Sequence, residues 1–140
     1  STDTTGAVAR LLFSGHLRRF PGFNMLLTHG GAAIPYILGR LRWIYALNPA
    51  NKSDPDEGFR RLCFDTAVFD VASLQFLCDS AGTDKVLLGS DHPFVQSSSD
   101  PTGIVKEARL TQGGRQAILG DNAVRLFRIT SCCGCGGHHG

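Results

Sequence analysis

Leu26-Leu27-Thr28-His29-Gly30-Gly31, read together with Val86-Leu87-Leu88-Gly89-Ser90-Asp91-His92-Pro93, decides the fold class of this chain. Each stretch is a short apolar run that breaks on polar and turn-forming residues. An unbroken apolar run, rather than an alternating one, marks a strand covered on both faces, as in a parallel sheet. Each run delivers a His or an Asp at its C-terminal end, where α/β barrels and open α/β sheets carry their chemistry.

The flanking segments supply helices. Val8, Leu11, Leu12 and Phe13 fall at helical spacing between Thr4 and His16, with Thr4 or Thr5 as the N-cap and Gly15 as a stop. Phe20-Pro21-Gly22 turns the chain into a strand over Phe23–Thr28. Ile34, Ile37, Leu38, Leu41 and Ile44 predict a helix over Ala33–Ala46, with Pro35 near its start, where a missing N–H does least harm. Asn48–Gly58 reads as a polar loop. Leu62-Cys63-Phe64 is a further short strand, ending in Asp65-Thr66. A helix over Asp70–Ser80 follows, then a Gly82-Thr83-Asp84 turn into a strand at Lys85–Leu88. Gln96–Thr102 reads as a loop, and Ile104–Leu110 and Gly114–Phe127 as helices. Strands alternating with helices imply right-handed βαβ units and a parallel sheet, so the fold class is α/β. A closed eight-stranded barrel takes about 250 residues. The 140 residues here hold three such units and open on a helix, as a partial barrel would.

Composition narrows the function. The chain is 42% hydrophobic and 19% charged, with a net charge of +2, and its basic residues are dispersed. That pattern offers no face for nucleic acid. No run approaches the roughly 18 apolar residues of a membrane span. Ser1-Thr2-Asp3-Thr4-Thr5 lacks the basic and apolar regions of a signal peptide. Cys63 and Cys78 sit inside apolar patterns as small hydrophobes, and the body of the chain shows no disulfide framework, which points to a reducing cytoplasm. Residues 130–140 form a Gly-rich tail with Cys132, Cys133, Cys135, His138 and His139. It has metal-binding residue types without the spacing of a zinc fold, and reads as disordered or loosely attached and foreign to the domain.

Several strand-end residues are open to two readings. His29 before two glycines suits a general base or a catalytic imidazole beside a metal, or a turn histidine bonded to a neighbouring carbonyl. Asp91 suits a carboxylate metal ligand, or an Asx-turn residue before Pro93. Its neighbour His92 would point the opposite way in extended chain and so would not share a metal face with it. Asp65-Thr66 reads as a cap or a structural hydrogen bond rather than as chemistry. Arg40 suits a surface cation or a bidentate clamp for a substrate carboxylate. Trp43 reads as packing or interface, and His16 as a helix-end cation.

Three motifs in order carry a resemblance. His29-Gly30-Gly31-Ala32-Ala33-Ile34-Pro35-Tyr36-Ile37-Leu38-Gly39-Arg40, Gly89-Ser90-Asp91-His92-Pro93-Phe94 and Ile118-Leu119-Gly120-Asp121-Asn122-Ala123-Val124-Arg125-Leu126-Phe127 resemble segments of the amidohydrolase-related family that contains aminocarboxymuconate semialdehyde decarboxylase. The resemblance runs from about Asp3 to Ile129. It implies that residues 1–129 are the C-terminal portion of a (β/α)₈ barrel. It further implies a divalent metal, zinc or else manganese, with Asp91 as a metal ligand and catalytic group. His29 would be the catalytic imidazole, Phe94 a pocket wall, and Arg40 an arginine reaching a neighbouring subunit's site. The implied reaction is non-oxidative decarboxylation of an unsaturated or aromatic carboxylic acid by a homodimer or higher oligomer. Hydrolysis by the same apparatus, or a non-catalytic truncated module held by oligomerisation, are the alternatives. The family's H-x-H or E-x-H motif and its middle-strand metal histidine are absent from these residues. By resemblance they carry one family ligand, so the polypeptide alone would be inactive or nearly so.

Overall fold

The computed structural model describes residues 2–50, 52–94 and 99–130. Its centre is a parallel three-stranded sheet in the order β1 (Met25–Leu27), β2 (Leu62–Asp65), β3 (Val86–Leu87). Met25, Leu26 and Leu27 face Leu62, Cys63 and Phe64, and Phe64 and Asp65 face Val86 and Leu87. β1 and β3 are shorter than the apolar runs that announced them, whereas β2 takes in Asp65 as well. Phe23 and Asn24 stay outside the ladder, and Phe23 is exposed.

Helix α1 (Thr2–Ser14) starts before Thr4 and Thr5, which lie inside it rather than capping it, and stops before Gly15 as expected. Gly15 takes a left-handed φ of 72°, which breaks the helix, and α2 (His16–Arg19) starts on a new axis. Helix α3 (Ile34–Leu47) carries Pro35 in its first turn and buries Ile34, Leu38 and Leu41. The expected loop over Asn48–Gly58 contains a short helix, α4 (Pro55–Phe59). Asp54 caps it by accepting a hydrogen bond from Asp56 N–H, and Pro55 pre-sets its first turn. Helix α5 (Val71–Ala81) is capped by Asp70 through Ser73 N–H and buries Leu74, Leu77 and Cys78. A short α6 (Gly103–Glu107) follows. Then α7 (Gln112–Gln116), a π-helical turn (Ala117–Asp121) and α8 (Asn122–Phe127) run on without a gap. Of the tail assigned from sequence at 130–140, residues 131–140 lie outside the described residues.

The core gathers Val8 and Leu12 of α1, Ile34, Leu38 and Leu41 of α3 and Leu74, Leu77 and Cys78 of α5 around the strands. Leu62, Phe64, Leu74 and Val86 have no exposed surface there. Each such side chain is worth roughly 1.5–3 kcal/mol of burial. Cys63 and Cys78 are buried and unpaired, as their apolar settings predict. Burial raises both thiols, that of Cys78 to about 11.

The two edges of the sheet differ. On the outer side of β3, Val86 C=O accepts from Asn122 Nδ2 at 2.7 Å, and Leu88 N–H donates to Ile118 C=O at 3.1 Å. The π turn frees the Ile118 carbonyl for this bond, because its i−4 ladder is locally broken. The chain's own C-terminal helix therefore occupies that edge. No described strand pairs with the outer side of β1, whose Leu26 is 37% exposed. Among the described residues no helix is long and apolar enough to cross a membrane.

One ion pair fastens α3 to α4. Arg42 Nε and Nη2 grip the Asp56 carboxylate at 2.8–3.0 Å. That hydrogen-bonded guanidinium holds the Asp56 carboxyl below its ordinary value. A depressed carboxyl stabilises the fold above the unfolded pKa, near 4, and loses that contribution as pH falls through the folded value. We expect Arg42→Ala to cost at most about 1 kcal/mol at pH 7, since the guanidinium is exposed. The difference between parent and variant should shrink in denaturant titrations run toward pH 3.

Candidate active site

The site forms at the C-terminal ends of the three strands. After β1 the backbone makes an unusual turn. His29, Gly30, Gly31 and Ala32 have φ of 55°, 59°, 77° and 54°, so four successive residues sit at positive φ. The glycines adopt this freely, whereas His29 and Ala32 each pay roughly 1–2 kcal/mol. Glycine is also required by space. A methyl group on Gly30 would lie 2.4 Å from Val68 Cγ1, and one on Gly31 would lie 2.7 Å from the Phe64 ring. The turn is thus pressed onto the end of β2. There Asp65 Oδ1 accepts from Gly30 N–H at 2.9 Å and from Ala67 N–H at 3.1 Å.

Asp91, beyond the end of β3, also has a left-handed φ, of 62°. Its carbonyl accepts from Phe94 N–H at 3.1 Å, closing a tight turn. Gly89, just upstream, is held by Thr66, whose hydroxyl accepts from Gly89 N–H at 3.0 Å and donates to Gly89 C=O at 3.2 Å. Thr66 is 1% exposed.

These two turns bring His29 and Asp91, 62 residues apart in sequence, to 3.3 Å between Nε2 and Oδ1. The carboxylate is largely covered, at 12% exposure, while the imidazole is half open at 51%. The contact is longer than an optimal hydrogen bond. A cavity of about 600 Å³ runs beside His29 between α3 and α5, walled by Pro35, Tyr36, Val68, Phe76 and Leu77. His29 borders this apolar opening and Asp91 does not line it; an imidazole beside a carboxylate can pass a proton.

The other residues singled out from sequence lie elsewhere. Phe94 is beside Asp91 in the chain but 60% exposed. Arg40 is exposed in the middle of α3 and does not line the cavity at His29. His92 is exposed, and its N–H donates to Ser90 Oγ at 3.3 Å. His16 stacks on Phe20 with Nδ1 2.7 Å from Ser14 Oγ. It borders a larger apolar groove with Leu11, Phe23 and Met25, at the N-terminal end of β1 and away from Asp91. Asp65 and Thr66 make structural hydrogen bonds, the reading favoured from sequence. Their reach to Gly30 and Gly89 depends on strand register, which one sequence does not display.

A catalytic zinc centre takes about three protein ligands plus an open position. His29 and Asp91 supply two donor groups. Among the described residues no set of three or more His, Cys, Asp or Glu could hold a metal ion. The pair does not amount to a metal centre by itself.

Residues 1–129 match the amidohydrolase family, and the chain belongs to it. The chain is 27% identical over 133 residues to the 2-amino-3-carboxymuconate-6-semialdehyde decarboxylase of Dictyostelium discoideum. The match covers 91% of this chain and 37% of that protein. Its structure is similar to that of 5-carboxyvanillate decarboxylase from Sphingomonas paucimobilis, with a TM-score of 0.77 and 29% identity. That alignment covers 87% of this chain and 38% of the other. The fold is shared with a dihydroxybenzoic acid decarboxylase from Polaromonas sp. JS666, solved with bound manganese and 2-nitroresorcinol. The TM-score there is 0.78 at 22% identity, over 89% of this chain and 39% of that one. The chain thus spans less than two fifths of each of these three proteins. Its three parallel βα units are a partial (β/α)₈ barrel, as the strand pattern and the resemblance imply.

Proposed function

We propose that this segment is the C-terminal share of a non-oxidative decarboxylase acting on an aromatic or unsaturated carboxylic acid. The observation that carries the reading is the 3.3 Å approach of His29 Nε2 to Asp91 Oδ1 on strand ends of a family member similar to decarboxylases. In the proposed reaction His29 Nε2 donates its proton to the carbon bearing the carboxylate. The C–C bond then breaks, CO₂ leaves, and the bonding pair restores the unsaturation. The neutral imidazole recovers a proton from water. Asp91, 3.3 Å from the same nitrogen, orients the ring. A divalent cation such as zinc or manganese would polarise a substrate oxygen when bound. Asp91 would be this segment's carboxylate ligand, with the remaining ligands supplied from outside the described residues, and the 140 residues alone would turn over little or nothing. Phe94 would wall the substrate pocket.

Arg40 lies on an exposed face of α3 with Tyr36, Trp43 and Leu47, at 81%, 59% and 65% exposure. The i, i+4, i+7, i+11 spacing makes them one stripe. We assign this stripe to contact with a second copy, which would carry Arg40 to the neighbour's substrate carboxylate. Arg40→Ala should therefore raise KM about 10–100-fold, the worth of one charge-assisted carboxylate contact, with a smaller change in kcat. Steady-state kinetics on the translated product that carries this segment checks it.

Product analysis on that protein, with a ¹³C-carboxyl aromatic acid, tests the reaction itself. Labelled CO₂ supports decarboxylation. Consumption that retains the carboxylate in a hydrated or hydrolysed product would replace it with the hydrolytic reading.

A further inference from the structure

We propose that Asp65 and Thr66, adjacent on the central strand, form a two-armed clamp that sets the separation of His29 and Asp91. Both would be positioning residues, and the inference rests on reading His29 and Asp91 as the reacting pair. The two arms reach opposite neighbours. The Asp65 carboxylate holds Gly30 N–H, one residue after His29, at 2.9 Å. The Thr66 hydroxyl holds both polar groups of Gly89, two residues before Asp91, at 3.0 and 3.2 Å.

The backbone makes such a clamp necessary. His29 and Asp91 both sit at left-handed φ, a conformation that non-glycine residues leave when nothing holds them. The sign of φ sets the direction of the Cα–Cβ bond, so relaxation of either turn would swing its side chain away from the other. The remaining bonds within the His29 turn, Gly31 N–H to Thr28 C=O and Ala32 N–H to His29 C=O, are local to that turn and do not tie it to β2 or β3. Asp65 supplies that tie, and its second bond, to Ala67 N–H at 3.1 Å, anchors its own carboxylate. The fit is close on the other side as well. A methyl group on Gly89 would lie 3.0 Å from Asp65 Cβ, so the end of β3 packs directly on the clamp. Thr66 is almost fully buried, which shields its bonds from competing water.

NMR on the 140-residue chain tests this without any activity readout. In the parent, an NOE should connect the His29 ring to the Asp91 Hβ protons, and the Gly30 and Gly89 amides should exchange slowly. In Asp65→Ala the Gly30 amide should exchange at least tenfold faster, and in Thr66→Val the Gly89 amide should do so. The His29–Asp91 NOE should fall by more than half in both. Thr66→Ser, which keeps the hydroxyl, should restore the Gly89 protection and the NOE. Asp65→Asn, which keeps an acceptor without charge, should give an intermediate exchange rate at Gly30. Undiminished NOE in folded Asp65→Ala and Thr66→Val would overturn the clamp. If those two do not fold, an unchanged Gly30 amide shift and exchange rate in Asp65→Asn would overturn it. If the translated product that carries this segment consumes an aromatic acid without releasing CO₂ while the 140-residue chain keeps the parent NOE, the decarboxylase reading falls and the clamp stands.

Discussion

His29→Asn and Asp91→Asn should each lower kcat by about 10²–10⁴-fold in the translated product that carries this segment, the range associated with a positioned proton-transfer group. Asparagine is isosteric with aspartate, smaller than histidine, and tolerates left-handed backbone, so the turns at positive φ remain accessible to it. The loss should therefore appear with little change in melting temperature. The double variant is expected to lose scarcely more than either single one, because the two groups act on one proton at 3.3 Å. Kinetics of the four proteins under one set of conditions checks both points. Fully additive losses would mean that the two side chains serve separate steps.

The largest stability effect is expected at Asn122. Its amide donates to Thr83 C=O and to Val86 C=O, each at 2.7 Å, and the residue is 1% exposed. Its own Oδ1 has no hydrogen-bond partner among the described residues. Asn122→Leu would remove both donors and leave the buried Val86 carbonyl, in particular, without a substitute. An orphaned buried carbonyl costs roughly 1–3 kcal/mol, so a total of about 2–4 kcal/mol is expected. The methyls of Leu and the loss of the unpaired Oδ1 offset only part of it. A domain of this size loses roughly 3–5 °C of melting temperature per kcal/mol, so a fall of about 6–20 °C is expected. The exposed neighbour Asp121 is the control, with Asp121→Ala within about 0.5 kcal/mol of the parent. Thermal unfolding of the three proteins tests the assignment of Asn122 as the fastener of the β3 edge.

The parts of this fold that were legible in the sequence are those written in hydrophobic pattern. Apolar runs ending in His29, Asp65 and Asp91 announced three parallel strands in the right places, and the helical spacings of α1, α3 and α5 announced what covers them. What the pattern concealed has identifiable causes. Asp54-Pro55-Asp56-Glu57 is a capped helix start, yet two prolines and a polar composition disguise it as loop. The π turn at Ala117–Asp121 goes with the Leu88 N–H to Ile118 C=O bond, a contact made across 30 residues of chain. At the site, the juxtaposition of His29 and Asp91 was implied by their strand-end positions. The roles of Asp65 and Thr66 toward Gly30 and Gly89 were not, because they depend on the register Phe64↔Val86 and Asp65↔Leu87. The positive φ of His29, Ala32 and Asp91 was equally invisible, since none is a glycine.

Turnover in D₂O tests the central claim most directly. The product of an aromatic carboxylic acid should carry one deuterium at the carbon vacated by CO₂, in one-to-one ratio with the CO₂ released. His29→Asn should lower the formation of both together. Product that keeps its carboxylate, or parent-like deuterium incorporation in His29→Asn, would contradict the proposed site.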